Sequence, residues 1–334
     1  MSLQDRKFCF IVGAMKAGTS TLAAQLGRQD GTYLPVLKEP NYFRGNLLSL
    51  IDGPSPHATQ FMASHMSGED YAALFNPAKA TDLLIDASTS YLVNPQSPGQ
   101  VRNFAPDARI VVSLRDPTER AYSAYNFVAS GVGDPEQTFA AAVASEQSGQ
   151  REQWVFGWRH LYGGLYDRHL RSWLNAFPAE QILVVDFANL VSDGEAAIEQ
   201  VCKFMGIDYD SQKFSPEVEN ATSLPHPING QLRRALLGPS ALKAAIKPLI
   251  PSRLRLYAKK ETLRGLRKFG QKPDKMPDTI RSMLDDHYRE SMQETERLLE
   301  KAFGLNGEAN PATRWLQSRQ SSQMQARNDG ILEK

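Results

Sequence analysis

The sequence predicts an α/β fold of three layers: a central parallel sheet of about five strands, helices on both faces, and a mainly helical C-terminal part. Three observations predict it. Four short runs are almost continuously apolar and rich in β-branched residues: FCFIVG (8–13), DLLIDAS (82–88), ARIVVSLR (108–115) and QILVVDF (181–187). That is the pattern of strands buried on both faces. Helical patterns lie between these runs, and such alternation argues for parallel strands joined by helical crossovers. The first run leads straight into a glycine-rich turn, GAMKAGTSTL (13–22). GTYLP (31–35) is the candidate fifth strand.

The helices follow in order. TSTLAAQLGRQ comes directly after the glycine turn. DPTERAYSAYNFVAS offers Asp116 as N-cap and Pro117 at the first helical position. LYDRHLRSWLNAF sets Tyr166, Leu170, Trp173, Leu174 and Phe177 on one stripe and stops at Pro178. SDGEAAIEQVCKFMG reads as a helix opened by a Ser192-x-x-Glu195 capping box and closed at Gly206. A long helix is expected from about Pro277 to Phe303. Ile280, Leu284, Tyr288, Thr295, Leu298, Leu299 and Phe303 lie near one face, and Gly304 ends it.

The chain of 334 residues is 41% hydrophobic and 22% charged, with a formal net charge of +1. That near-neutral total gives no reason to expect nucleic acid, yet it hides an asymmetry. Residues 233–272 hold twelve Lys or Arg against one acid, Glu261, a net +11, while the remainder stands at −10. No apolar run is long enough to span a membrane, so only peripheral membrane contact through 233–272 is open to it. Cys9 and Cys202 read as buried thiols rather than a disulfide. With no signal peptide in view, a cytoplasmic location is the expectation. One domain is expected over 1–316, with its core sheet and helices in 7–206 and a helical part over 220–304. A disordered tail is expected over 317–334.

The glycine turn differs from an ATP-hydrolysing loop in one place. Gly13 and Gly18 have the spacing of G-x-x-x-x-G-K-[ST], but Thr19 stands where the lysine belongs, and the lysine sits inside the loop at Lys16. A glycine turn from a buried strand into a helix aims backbone N–H groups at one point, and the helix dipole favours an anion there. Thr19, Ser20 and Thr21 add hydroxyl donors. Lys16 would approach the anion from the side. A second anion site is suggested by Arg115, which ends a buried strand, and by Ser123, two turns into the next helix. An arginine fork with a hydroxyl makes a phosphate clamp. Arg120 reads equally well as the partner of a surface acid.

GAMKAGTSTL resembles the phosphosulfate-binding loop of sulfotransferases that use 3′-phosphoadenosine 5′-phosphosulfate (PAPS). SLRDPTERAYSAY (113–125) resembles their second signature, which binds the 3′-phosphate. KEPNYF (38–43) and YGGLYDRHLRSWLNAFPAEQILVVDF (162–187) are similar to the heparan-sulfate branch and its bacterial relatives. The resemblance runs in order from about residue 7 to 206. It implies a P-loop-like fold, PAPS as co-substrate and no metal. It also implies a small-molecule or glycan acceptor bearing a hydroxyl or amine. Lys16, Ala17, Gly18, Thr19, Ser20 and Thr21 would hold the 5′-phosphate end, and Arg115 and Ser123 the 3′-phosphate.

Lys16 would also be catalytic, stabilising the bridging oxygen as the sulfuryl group leaves. Its place inside the loop fits a donor with no γ-phosphate. Glu39 matches the branch's general base, although Lys38 and Glu39 also read as a plain ion pair. His226 is the reserve base. The sequence departs from the branch at Asn41, Arg44 and Ala87, all on the acceptor side. Aromatic residues after the second signature, or side chains of the basic segment, are the candidates for an adenine pocket. The competing readings are a nucleotide kinase with an atypical loop, using Asp86 for Mg²⁺, and a non-catalytic anion- or membrane-surface binder.

Overall fold

The computed structural model describes residues 2–44, 66–131, 133–216, 274–319 and 321. Five strands form at Phe8–Gly13 (β1), Thr32–Tyr33 (β2), Leu83–Asp86 (β3), Arg109–Leu114 (β4) and Ile182–Asp186 (β5). They make one wholly parallel sheet in the order β2-β3-β1-β4-β5. The expected fifth strand is therefore present as the short edge strand β2.

Side chains alternate across a strand, so each strand feeds two cores. Phe8, Phe10 and Val12 enter one core with Ile110, Val112 and Leu114 of β4. Cys9 and Ile11 enter the other with Val111. Both faces of β1 are thus apolar because both are covered, as its unbroken hydrophobic run requires. The register against β4 shifts between Ile11 and Gly13, where the strand turns out into the glycine loop.

Helices cover both faces. Their ranges are Thr19–Leu26 (α1), Gly68–Ala73 (α2), Ser90–Val93 (α3), Ser97–Phe104 (α4), Pro117–Gly131 (α5), Phe139–Gln147 (α6), Tyr166–Ala176 (α7), Phe187–Ser192 (α8), Gly194–Met205 (α9) and Asp278–Phe303 (α10). The second core is closed by Leu22 and Leu26 of α1, Leu190 of α8, and Ile198, Val201 and Cys202 of α9. The first is closed by Tyr91, Ala121, Leu170, Trp173, Leu284 and Tyr288, among others. The stripe expected on α7 is buried at Tyr166, Leu170 and Trp173, with Phe177 just beyond the helix and Leu174 half-buried. On α10, Met292 joins Leu284, Tyr288, Thr295 and Leu299 in the buried row.

Two local expectations are corrected. The capping box does not form at Ser192: the chain first makes the short helix α8, whose end carries Ser192. Asp193 then caps α9 by accepting from Ala196 N at 3.2 Å. Residues 311–319 are helical, so order continues into the stretch expected to be a tail. Arg319 is buried there and reaches Asp116 (2.9 Å) and Asp285 (2.9 Å).

Both cysteines are free and buried. Burial pushes the Cys9 thiol up to about 12 and that of Cys202 up to about 11. Among the described residues, no helix is long and apolar enough to cross a membrane. The basic segment 233–272 and His226 lie outside the described residues.

Candidate active site

The site is built where β1 and β4 end and α1 and α5 begin. Gly13 and Gly18 are required by contact as well as by backbone. A Cβ on Gly13 would stand 2.8 Å from Leu92 Cβ. One on Gly18, which caps α1 at φ +79°, would stand 2.7 Å from Leu190 Cδ2 and 3.0 Å from the Phe187 ring. Between them Lys16 adopts φ +71°, a left-handed conformation that costs an ordinary residue about 1–2 kcal/mol.

The carbonyls of this loop are turned into the protein. Ser113 Oγ donates to Ala17 O at 2.6 Å, and Arg115 Nη1 donates to Lys16 O at 3.2 Å. Ala17 N bonds Ala14 O at 3.1 Å. The first intrahelical bond of α1 runs from Leu22 N to Gly18 O, so the N–H groups before it lie outside the helix's own ladder. Ala17 and Thr19 are buried, while Ser20 and Thr21 are half-buried at the helix start.

Arg115 is held from several sides. Its guanidinium stacks 4.9 Å from the Phe187 ring centroid and lies 3.7 Å from Glu119. Its carbonyl accepts from Tyr166 Oη at 2.7 Å. Burial pulls its pKa down, opposed by Glu119; an arginine keeps its charge regardless. Ser123 is nearly buried one helical turn before Phe127, and i,i+4 residues share a helix face. The Lys16 ammonium rests 4.7 Å from the Phe127 ring centroid. The two motifs are therefore adjacent in the fold. Arg120 is corrected from a surface partner to a buried cation: it donates to His160 O and packs on Gly163.

Glu39 reaches the same neighbourhood through Lys38, whose Nζ lies 2.9 Å from Ser20 Oγ and 3.3 Å from Glu39 Oε1. The ion pair weighed against the base role does exist, and it touches the phosphate loop. Thr89 Oγ1 lies 3.4 and 3.5 Å from the Glu39 carboxylate. Asn41, at φ +53°, ties this turn down. Its N–H donates to Ser88 Oγ at 3.1 Å, and its side-chain amide donates to Glu39 O at 2.9 Å. Arg44 and Ala87, the other departures, are buried.

Asp86, the acid a kinase would need, is fully buried. Its carboxylate accepts from Ser88 (2.6 Å), Tyr91 (2.9 Å) and Tyr71 (3.1 Å). Burial still pushes its pKa up to about 7 against those bonds. It is a structural carboxylate holding the 86–91 segment. Among the described residues, no group of three or more His, Cys, Asp or Glu is arranged to hold a metal ion.

Sequence reading missed Phe127, Ser113, Phe187 and the Lys38–Ser20 bond. A lone serine inside the apolar run RIVVSL was a usable signal, since a buried hydroxyl needs a partner.

A phosphate-type loop without the ATPase lysine thus lies beside a second basic strand end. The chain belongs to the sulfotransferase domain family, whose pattern matches residues 7–225. It is 28% identical over 208 residues to the human (Homo sapiens) bifunctional heparan sulfate N-deacetylase/N-sulfotransferase 3, covering 59% of this chain and 22% of that protein. It is 29% identical over 125 residues to heparan sulfate glucosamine 3-O-sulfotransferase 3B1 of Mus musculus, covering 37% and 31%. The chain thus spans a third or less of these relatives. A sulfotransferase structure from Alicyclobacillus acidocaldarius superposes with a TM-score of 0.57 at 26% identity, covering 72% of this chain and 96% of that one.

Proposed function

We propose that this chain transfers the sulfuryl group of PAPS to a hydroxyl or amine of a carbohydrate or glycoconjugate, releasing adenosine 3′,5′-bisphosphate. The observation that carries the reading is the bond from Arg115 Nη1 to Lys16 O, which fuses the two anion motifs into one site. The named activities of the heparan sulfate relatives support a sugar acceptor.

The residues divide the work. The α1 N-terminus with Thr19, Ser20 and Thr21 holds the 5′-phosphate. Arg115 and Ser123 hold the 3′-phosphate. Transfer is in line: the bond from sulfur to the bridging phosphate oxygen breaks as a bond from sulfur to the acceptor atom forms. Negative charge grows on that bridging oxygen, and the Lys16 ammonium neutralises it. Glu39 takes the acceptor's proton. Lys38, bound to both Glu39 and Ser20, links the base to the donor loop.

Calorimetry tests the reading. Adenosine 3′,5′-bisphosphate binds clearly more tightly than AMP, because only the former engages Arg115 and Ser123. Equal affinities would refute the assignment of the second clamp.

A further inference from the structure

The segment after the second signature is rich in aromatic residues, and the structure brings them to the loop lysine. Trp154 and Phe156 are half-buried and pack with Met15, the residue before Lys16, around Val128, Val155 and Trp158. Phe127, against which the Lys16 ammonium lies, is one of few large apolar side chains left exposed among the described residues, at 38%. The lysine marks the end of the donor from which the sulfuryl group departs. The exposed π-surface beside it therefore belongs to the acceptor's side.

The wall is also joined to the base. The turn Phe156–Trp158 packs against α3. Tyr162 Oη reaches Val93 O of that helix at 3.5 Å. Thr89, which contacts Glu39, caps the same helix. One continuous rim thus runs from Glu39 through α3 to the aromatic turn and on to Met15 and Lys16.

This wall is anchored at a cost only a positioned surface justifies. Arg151 and Asp134 are completely buried and form a two-pronged ion pair at 2.7 and 2.9 Å. His160 joins Asp134 at 2.8 Å. Arg151 also donates to Trp158 O at 2.8 Å, and its guanidinium lies 4.7 Å from the Trp154 ring centroid. A buried ion pair bonded at both prongs, as Arg151 and Asp134 are, ties this segment to one arrangement. The cation under Trp154 is consumed by Asp134. Arg159 is stacked on the Tyr162 ring at 3.8 Å. The exposed neighbours on the turn are Glu152 and Gln153, an acid and an amide. At Trp154 and Phe156 the wall offers ring faces, with the Arg151 charge already taken by Asp134, which suits an uncharged ring.

We infer that Trp154, Phe156 and Phe127 form an acceptor platform that stacks on an uncharged ring adjacent to the sulfated hydroxyl. The inference rests on the sulfotransferase reading and narrows it: a sugar ring's C–H face and an aryl ring present the same chemistry to this wall.

The experiment uses the full chain, PAPS and three probes: a neutral methyl glycoside, a simple phenol and a sulfated heparan-type tetrasaccharide. Transfer to the glycoside identifies a sugar as the ring, and transfer to the phenol identifies an aryl group; either supports the platform. With the accepted probe, Trp154→Ala and Phe156→Ala each raise KM about tenfold with kcat within about threefold, the loss of one stacked ring. Trp154→Phe restores the parent KM, which a merely structural role would not separate from kcat. Adenosine 3′,5′-bisphosphate binds all variants as it binds the parent. Transfer only to the tetrasaccharide, transfer to no ring-bearing probe, or an unchanged KM overturns the inference. A loss of bisphosphate affinity in the variants overturns it too, by assigning the rings to adenine. If the parent chain itself fails to bind the bisphosphate, the sulfotransferase reading falls first.

Discussion

Replacing Asp134 by alanine tests how the aromatic wall is held. The carboxylate accepts two bonds from Arg151 and contacts His160, and all three side chains are fully buried apart from the 1% exposure of His160. Removing it leaves the Arg151 cation with Ser145 Oγ, Trp158 O and the Trp154 ring face but no counter-charge. Breaking one side of a buried ion pair costs about 3–5 kcal/mol. With an unfolding entropy of about 2.1 cal/mol/K per residue, a chain of this size has about 0.7 kcal/mol/K, so Tm falls by about 4–7 °C.

The pH dependence follows from the same contacts. Burial pushes the Asp134 carboxyl up, but the bonds from His160 and Arg151 outweigh it and hold the group below the usual carboxylate range. Its contribution is complete above the unfolded value near pH 3.9 and is lost only as pH falls below that. Because Asp134 also raises the His160 pKa, the deficit of Asp134→Ala is constant only above about pH 6.5 and grows below it. Calorimetric scans of the parent and of Asp134→Ala supply the measurement. The pair Asp134→Leu with Arg151→Met, which removes both charges, recovers at least half of the loss. A Tm shift under about 1 °C, or a double variant as unstable as the single one, would refute the reasoning.

Three further outcomes are expected. Lys16→Ala lowers turnover with PAPS by about 10²–10³ while the melting curve stays put, because Lys16 supports no core; near-normal turnover would remove it from the chemistry. Glu39→Gln lowers turnover by about 10²–10⁴ with bisphosphate affinity nearly unchanged, and a large affinity loss would make it a structural carboxylate instead. Burial pushes the His169 imidazole down to about 4 although Nε2 bonds Tyr162 O at 2.9 Å. The unfolded chain takes up that proton near 6.5, so stability falls as pH drops from about 6.5 to 4. His169→Gln flattens part of that slope, by about 3 kcal/mol at most. His160 shifts in the same direction and leaves the rest.

The strands were legible because a strand covered on both faces must be apolar at every position, as Phe8 to Val12 are. The loop was legible because its glycines are forced by Leu92, Leu190 and Phe187, and such spacing survives in sequence. Distant meetings were not legible. Lys38 finds Ser20, and Lys16 finds Phe127, only after the sheet has set the distances between loops. The buried ions were invisible for another reason: Asp134, Arg151 and His160 are spread over 27 residues, and a charge in isolation reads as surface. The Ser192 cap failed because Asp193, one residue on, competes for the same role.

Arg319 grips Asp116, the residue that opens the helix carrying Ser123, and also Asp285 of α10. Burial pushes the Asp116 carboxyl up even with Arg319 beside it. During synthesis the phosphate loop precedes this clasp by about 300 residues and β5 precedes it by about 130. Every strand of the sheet is therefore synthesised before Arg319, and the start of α5 is braced at Asp116 only once residues 311–319 have emerged.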